Sequence, residues 1–406
     1  MSKPTFRELS ESRQNNLDFL RFFFASVVVF THSYCILANM NPEPIYRFTH
    51  RQMAAATIAV DFFFVISGFL VTTSWARSKG VWDYAKKRIQ RIYPAFVVCV
   101  LLTILVSGFL SDVSAHAYWH DRRTITFIYR ELLFRDVTLY RTFPHSHTPG
   151  LPLGSLATLP FELKCYCIIP VIGLLGLLRR RAAVLGLFGA ALCFHNLFML
   201  PGFGFCSTYL PRLVTYFLAG ATLYLYRERV LYDSRWLAVA LAVLAGAMFW
   251  GLSIALPIAG TYVVFYIAYS KRVRLQNWGA NGDISYGIFL YGYLVQQIIA
   301  CRTHYAISPT MLTLTSLPVT YVLAFGSWHL VEKRFLKRTK RSQVRPELAP
   351  AIAGVAVHVT APAWQTLPEN ARNAAAGRAN GAGAYGIGAG AEQKTDSAYA
   401  RRDSEP

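Results

Sequence analysis

An all-α, polytopic membrane bundle of about ten transmembrane helices is the fold class this sequence predicts, and three features predict it. Apolar residues make up 54% of the 406 positions and charged residues only 15%, against roughly a quarter charged in soluble domains. The apolar residues gather in blocks of about twenty, enough helix to cross a hydrocarbon core of roughly 30 Å. Short basic runs stand between the blocks, as the positive-inside rule requires of a multi-pass protein.

The elements follow in order. Residues 1–16 carry Lys3, Arg7, Glu8, Glu11 and Arg13 and show no small-residue cleavage site, so they read as a cytosolic lead-in and not as a signal peptide. A membrane domain then occupies residues 17–341. Its candidate spans are 17–38, 54–75, 92–110, 153–175, 183–200, 209–226, 236–251, 254–269, 284–301 and 310–330, the seventh and eighth joined tightly around Ser253. Basic runs at 77–91, 179–181, 227–235, 271–274 and 333–341 alternate with loops of weaker or mixed charge, which places both termini in the cytoplasm. The long loop at 111–150 carries Arg122, Arg123, Arg130, Arg135 and Arg141 on the expected outer side. Asp112, Asp121, Glu131 and Asp136 balance them, and the loop is expected to pack as an amphipathic lid. From 342 to 406 the chain turns Ala/Gly-rich with scattered charge, a composition that reads as a disordered cytosolic tail.

Several function classes are excluded at this stage. The formal charge of +20 sits in inter-span loops, so it reports topology and not nucleic-acid binding. The seven cysteines lie in or beside apolar blocks and form no CxxC pair, which argues against a disulfide framework and against zinc. His145 and His147 have HxH spacing but no acidic or cysteine companion nearby, so they read as loop residues and no metal site is expected. GxSxG and P-loop patterns are absent from the sequence.

Ionisable groups inside apolar spans are costly and mark function. Arg21 and His32 fall in the first span, Asp61 in the second and Glu162 in the fourth. Arg21 and His32 are eleven residues apart, hence on one helix face and roughly 16 Å apart along the axis. Counted from the cytosolic ends, His32, Asp61, Glu162 and Gln297 all fall at roughly 20–22 Å. An imidazole beside a carboxylate at one depth is the makings of a general base. A structural polar cluster fits the same pattern, and Asp61 is also placed to partner Arg212 or a tyrosine. Arg88 and Arg91 share a face just before the third span, with Arg21 roughly 6 Å inside the same boundary. Guanidinium forks suit phosphates; Lys86 and Lys87 read as ordinary anchors. Ser67-Gly68 looks like a helix-packing notch.

At these residues the chain resembles the acyltransferase-3 family, the membrane O-acyltransferases of bacterial surface polysaccharides. The resemblance covers about residues 15–337 and rests on ordered local matches. They begin with Asn16-Leu17-Asp18-Phe19-Leu20-Arg21 followed by His32, then Val60-Asp61-Phe62-Phe63-Phe64-Val65-Ile66-Ser67-Gly68-Phe69, and Arg88-Ile89-Gln90-Arg91-Ile92-Tyr93-Pro94. Gly154-Ser155-Leu156-Ala157-Thr158-Leu159-Pro160-Phe161-Glu162, Ser285-Tyr286-Gly287-Ile288-Phe289-Leu290-Tyr291 and His329-Leu330-Val331-Glu332-Lys333 complete the series. Two positions depart: Ala157 stands where the family often has Trp, and Gly292 where a His is common.

The resemblance implies acetyl-CoA as acyl donor, bound from the cytosol by Arg21, Arg88 and Arg91. It implies a carbohydrate acceptor, surface polysaccharide or lipooligosaccharide, met on the far side near His32 and Glu162, which with Asp61 are the catalytic candidates. The implied setting is the bacterial inner membrane, with the lipid bilayer as the protein's surroundings and no metal. A transporter or flippase of a glycan or lipid precursor is the rival class, with polar residues at one depth as its path. The sequence shows neither the inverted repeat nor the paired broken helices that class would bring.

Overall fold

Backbone groups within an apolar block have no water to bond, so each block closes its hydrogen bonds internally as helix. The computed structural model describes residues 3–11, 14–37, 43–135, 153–198, 209–249 and 251–336, with positions 139, 142, 143 and 146. It divides the chain into two units, Met1–Arg341 and Ser342–Pro406. The second unit lies outside the described residues, as do the tail expected at 342–406 and the His145/His147 pair.

The first unit is all-helical. A short α1 (Phe6–Glu11) precedes α2 (Leu17–Leu37), α3 (Pro44–Phe48), α4 (Ala55–Ala76) and α5 (Val81–Phe109). Then come α6 (Ala115–His120), α7 (Arg122–Leu132), α8 (Leu159–Leu174), α9 (Arg181–Phe198), α10 (Tyr209–Tyr226) and α11 (Ser234–Ala247). A π-helical turn, Leu256–Gly260, joins α12 (Leu252–Ala255) to α13 (Thr261–Ala268). The series closes with α14 (Ser285–Arg302), α15 (Pro309–Ser327) and α16 (Lys333–Phe335). Among the described residues there are no strands, only isolated bridges such as Thr5 with Leu231.

Among the described residues five segments are long and apolar enough to cross a membrane: Leu17–Leu37, Ala55–Ala76, Val81–Phe109, Gly154–Leu174 and Pro309–Phe335. Three more apolar stretches, Arg181–Leu197, Ser234–Ala247 and Leu252–Ala268, are shorter. The expected third span, 92–110, proves to be the second part of a longer helix. No helix breaker stands between Val81 and Pro94, so α5 begins well before the apolar run and carries Arg88 and Arg91 inside it. The tight link between the seventh and eighth expected spans falls at Gly251, whose φ of +88° is left-handed backbone that suits glycine. The loop at 111–150 contains α6 and α7, and α7 buries Thr124, Phe127 and Glu131 beneath an exposed Ile125, Tyr129 and Leu133.

Cross-helix contacts fix an antiparallel arrangement. Near the start of α2, Asn16 donates to the carbonyls of Ile267 and Ser270, at the end of α13. Near the far end of α2, Thr31 Oγ1 accepts from the amide of Ala56 at the start of α4 (2.9 Å). Ser33 and Thr313 hydroxyls meet at 2.8 Å there, and α15 returns to set Tyr321 against Ser26 (2.9 Å).

The closest seam is between α4 and α10. A Cβ at Gly68 would fall on the carbonyl of Phe217, and one at Gly220 on the carbonyl of Val65. The notch expected at Ser67-Gly68 is thus half of a reciprocal backbone contact. Small residues let two apolar helices approach where dispersion, not water exclusion, must hold them.

This seam yields a prediction. Gly68→Leu or Gly220→Leu places side-chain atoms on rigid backbone and should destabilise the protein by about 1–3 kcal/mol or more. Gly186→Leu, with nothing within 4 Å of a new Cβ, should be silent. Melting of the purified variants in detergent checks both, and an unshifted Gly68→Leu would show that the seam yields.

Candidate active site

The charged residues of the bundle sort into three groups, and the sorting follows from helix rotation as much as depth. The first group is built on Asp283. This residue lies just before α14 and is bonded to its first residue: its carboxylate accepts from the Ser285 amide (3.1 Å) and hydroxyl. Its other oxygen is ion-paired to both Arg21 of α2 and Arg91 of α5. Burial alone would raise the Asp283 carboxyl, but the guanidiniums of Arg21 and Arg91 outweigh it and hold the group below the usual carboxylate range. Glu332, 2% exposed, faces the same arginines and accepts from Ser327 Oγ at 3.3 Å; its Oε2 is buried without a hydrogen-bond partner. Two of the three arginines expected to hold the donor are therefore committed to carboxylates of the protein itself.

Arg88 is different. Its guanidinium lies over the rings of Tyr84 and Tyr166 (5.9 and 5.7 Å to the centroids) and donates to Ser74 Oγ at 3.3 Å. Its Nε is buried without a partner. The Tyr84 hydroxyl donates to the Tyr166 carbonyl at 2.7 Å, which fixes one ring against α8. Aromatic faces stabilise a cation while leaving its N–H edges unspent.

Glu162 joins this arginine tier. The Tyr166 hydroxyl donates to its carboxylate from one turn further along α8, and Arg21, Arg91 and Arg88 are the charges it faces. The early start of α5 explains this. Arg91 lies roughly 15 Å from the beginning of its helix and Glu162 roughly 18 Å from the end of α8, so residues expected at edge and depth are nearly level.

The second group surrounds His32. Its Nδ1 is buried without a hydrogen-bond partner, and its ring meets Tyr293 of α14 edge-on with centroids 5.0 Å apart. Tyr293 packs in turn on Gly154, where a Cβ would strike the ring, and Gly154 opens the 3-10 turn (Gly154–Thr158) leading into α8. Tyr293 thereby ties His32 to the segment that carries Glu162. Beside it, Gln296 Nε2 donates to the Val29 carbonyl (2.7 Å) and to Ser33 Oγ (2.6 Å). Gly292 is explained here too, because a Cβ at this position would press on Val29 of α2.

The third group holds Asp61, fully buried, with Arg212 Nε 3.2 Å from its Oδ1. The Tyr216 hydroxyl faces the same carboxylate, and His195 lies within the field of Arg212. Asp61 thus shares a depth with His32 but not a face. It lies on the α10 side of α4, in line with Val65 and Gly68, whereas Phe62 and Phe63 of α4 meet Phe24 of α2. At about 100° per residue those two rings point well away from Asp61. The expected joining of His32 with Asp61 and Glu162 is therefore not among the contacts of the structure. Of the two partners open to Asp61, the structure shows both Arg212 and a tyrosine. Among the described residues no group of His, Cys, Asp and Glu could hold a metal ion.

Asp283, Tyr166, Tyr293 and His195 escaped the sequence reading. Asp283 sits outside the apolar blocks, and the signal for it was its place two residues before Ser285, where a carboxylate can accept from the first turn of a helix. The tyrosines and His195 carry no marker that separates them from other aromatic residues in apolar helices.

Residues 14–329 match the family model described as an acyltransferase domain. The chain is 31% identical over 349 residues to an O-acetyl transferase of Shigella phage Sf6, covering 80% of this chain and 97% of that protein. It is 28% identical over 359 residues to Nodulation protein 10 of Rhizobium leguminosarum bv. viciae, covering 81% and 95%. No solved structure matches.

The ion cluster makes a stability prediction. Asp283→Ala leaves two guanidiniums facing each other with no shared carboxylate, and removing one partner of such a cluster costs about 3–5 kcal/mol. The variant should melt well below wild type, while Arg88→Ala, which breaks no ion pair, should melt close to it. A wild-type melting temperature for Asp283→Ala would show that the cluster does not hold α2, α5 and α14 together.

Proposed function

The chain belongs to the acyltransferase family whose domain it carries, and we propose that it moves an acetyl group from cytosolic acetyl-CoA to a hydroxyl of a carbohydrate acceptor. We place it as a ten-span protein of a bacterial inner membrane, with both termini cytoplasmic and the acceptor met from the opposite side. The observation that carries the reading is the spacing of two groups on α2 and α5. A cation clamped by aromatic rings with an unspent N–H edge, Arg88, lies toward one end of the bundle. A buried imidazole with an unpartnered nitrogen, His32, lies roughly 22 Å along α2 from its start.

The chemistry divides accordingly. Arg88 takes a phosphate of the donor, and Lys86, exposed beside it on α5, adds charge at the entrance. Arg21 and Arg91, held by Asp283, shape and polarise the donor site without spending themselves on the ligand. Glu162 stands at the inner limit of that tier, hydrogen-bonded by Tyr166, where the thioester end of the donor passes toward His32. His32 takes the proton of the acceptor hydroxyl as its oxygen attacks the thioester carbonyl carbon. The C–S bond breaks, the acetyl group remains on the acceptor oxygen, and the proton held by the imidazole passes to the departing thiolate.

Transfer of labelled acetyl groups by purified protein tests the reading against transport, which consumes no acetyl-CoA. His32→Ala should abolish transfer, by three orders of magnitude or more, at normal abundance; full activity in a well-folded variant would remove His32 from the reaction. Arg88→Ala should raise the donor KM about tenfold or more and leave the acceptor KM alone, with Arg88→Lys recovering only part. An unchanged donor KM would reduce Arg88 to a topology anchor. Glu162→Gln should lower kcat while leaving the melting temperature near wild type, and an unchanged kcat would make Glu162 a helix tie.

A further inference from the structure

The third polar group is left over by this chemistry, and it is the least satisfied part of the bundle. His195 is 0% exposed and neither ring nitrogen has a hydrogen-bond partner. Both carboxylate oxygens of Asp61, Arg212 Nε and the Tyr216 hydroxyl are likewise buried without aligned hydrogen bonds, although Arg212 and Asp61 approach to 3.2 Å. Six polar atoms from α4, α9 and α10 thus lie buried with no hydrogen bond of good geometry, the Asp61 carboxylate being met only by the charge of Arg212 and the nearby Tyr216 hydroxyl. Leaving each buried group unpaired costs about 1–3 kcal/mol, so a structural role alone would have favoured apolar residues at His195 and Tyr216. Counted along their helices, Asp61, His195 and Arg212 fall at roughly 21–22 Å, the same level as His32.

We propose that Asp61, His195, Arg212 and Tyr216 form a binding subsite for the hydroxyl groups of a neutral sugar, the acceptor of the reaction. The proposal rests on the transferase reading above and adds where the acceptor is recognised. Carboxylate and guanidinium balance each other's charge, and with a neutral imidazole the set carries none, which suits an uncharged ligand over a phosphate or a carboxylate. Hydroxyl groups both donate and accept, which matches a set with acceptor oxygens on Asp61, a donor edge on Arg212, and a phenol and an imidazole able to do either. The way in is aromatic. Arg212 lies over the ring of Tyr209 (5.4 Å), and Tyr209 stacks on Phe161 at 6.2 Å, next to Glu162. Tyr209 is 51% exposed and the Arg212 side chain 14%, so the set is reachable from the Tyr209 side. An aromatic mouth above a ring of hydrogen-bonding groups fits the apolar face and hydroxyl edge of a pyranose.

The test uses full-length protein in nanodiscs, labelled acetyl-CoA, and surface polysaccharide extracted from the producing cells after deletion of the gene. His195→Leu and Tyr216→Phe should each raise the acceptor KM about tenfold while the donor KM and acceptor-independent hydrolysis of acetyl-CoA stay at wild-type values. Melting temperatures should stay near wild type, because neither variant removes the Asp61–Arg212 ion pair. Wild-type acceptor KM in either folded variant would overturn the subsite and leave a cluster filled by water only. Tyr216→Phe carries the test alone should His195→Leu fail to accumulate. If wild-type protein transfers no acetyl group to the polysaccharide, the transferase reading fails on its own account. The subsite is then decided by melting with methyl glycosides of glucose, galactose and mannose. A stabilisation by any of them in wild type that is lost in Tyr216→Phe supports it, and none in wild type overturns it.

Discussion

One carboxylate shared by two guanidiniums organises the bundle. Asp283 draws Arg21 of α2 and Arg91 of α5 to the first turn of α14, and in doing so it sets the rotation of all three helices about their axes. Charges as little exposed as these stay ionised at low cost only when paired and hydrogen-bonded, so these helices cannot turn without leaving a guanidinium bare. Once α2 is fixed, the face it presents to α14 is fixed as well, and His32 comes against Tyr293. Once α5 is fixed, Arg88 is directed toward α4 and α8, where Ser74 and Tyr166 receive it beside Tyr84 of its own helix.

The same constraint separates two kinds of arginine that look alike in sequence. Arg91 ends in a salt bridge and Arg88 in an aromatic clamp, although they are three residues apart on one helix. A paired guanidinium has little left for a ligand, while a guanidinium held by its face keeps its edge. A paired guanidinium and one with a free edge are thereby divided between neighbours, with Glu162 facing both.

On the opposite side of α4 the chain solves a different problem. Gly68 and Gly220 bring α4 and α10 to backbone contact, and the helices' close approach carries Asp61 onto Arg212 and Tyr216. Apolar packing along the seam pays for a polar set that does not satisfy itself. Polar groups inside an apolar bundle are costly and are a mark of function.

The sequence by itself determined the all-helical character, the order of the segments and the family. Those quantities depend on apolar block length, on rise per residue and on local motifs, all of them properties of contiguous chain. Span boundaries were less legible at α5, because helix continues through the polar stretch before Ile92 wherever no breaker intervenes. Only the tertiary structure decided which polar residues meet. His32, Asp61 and Glu162 were placed at one height from residue counts, yet they divide among Tyr293, Arg212 and the arginine tier. Partner choice is a matter of rotation about each helix axis, and rotation is set by contacts between segments distant in sequence: Asp283 with Arg21 and Arg91, Gly68 with Phe217. Asp283 itself was invisible for the same reason, an ordinary loop carboxylate until two helices more than a hundred residues away from it fold their guanidiniums onto it.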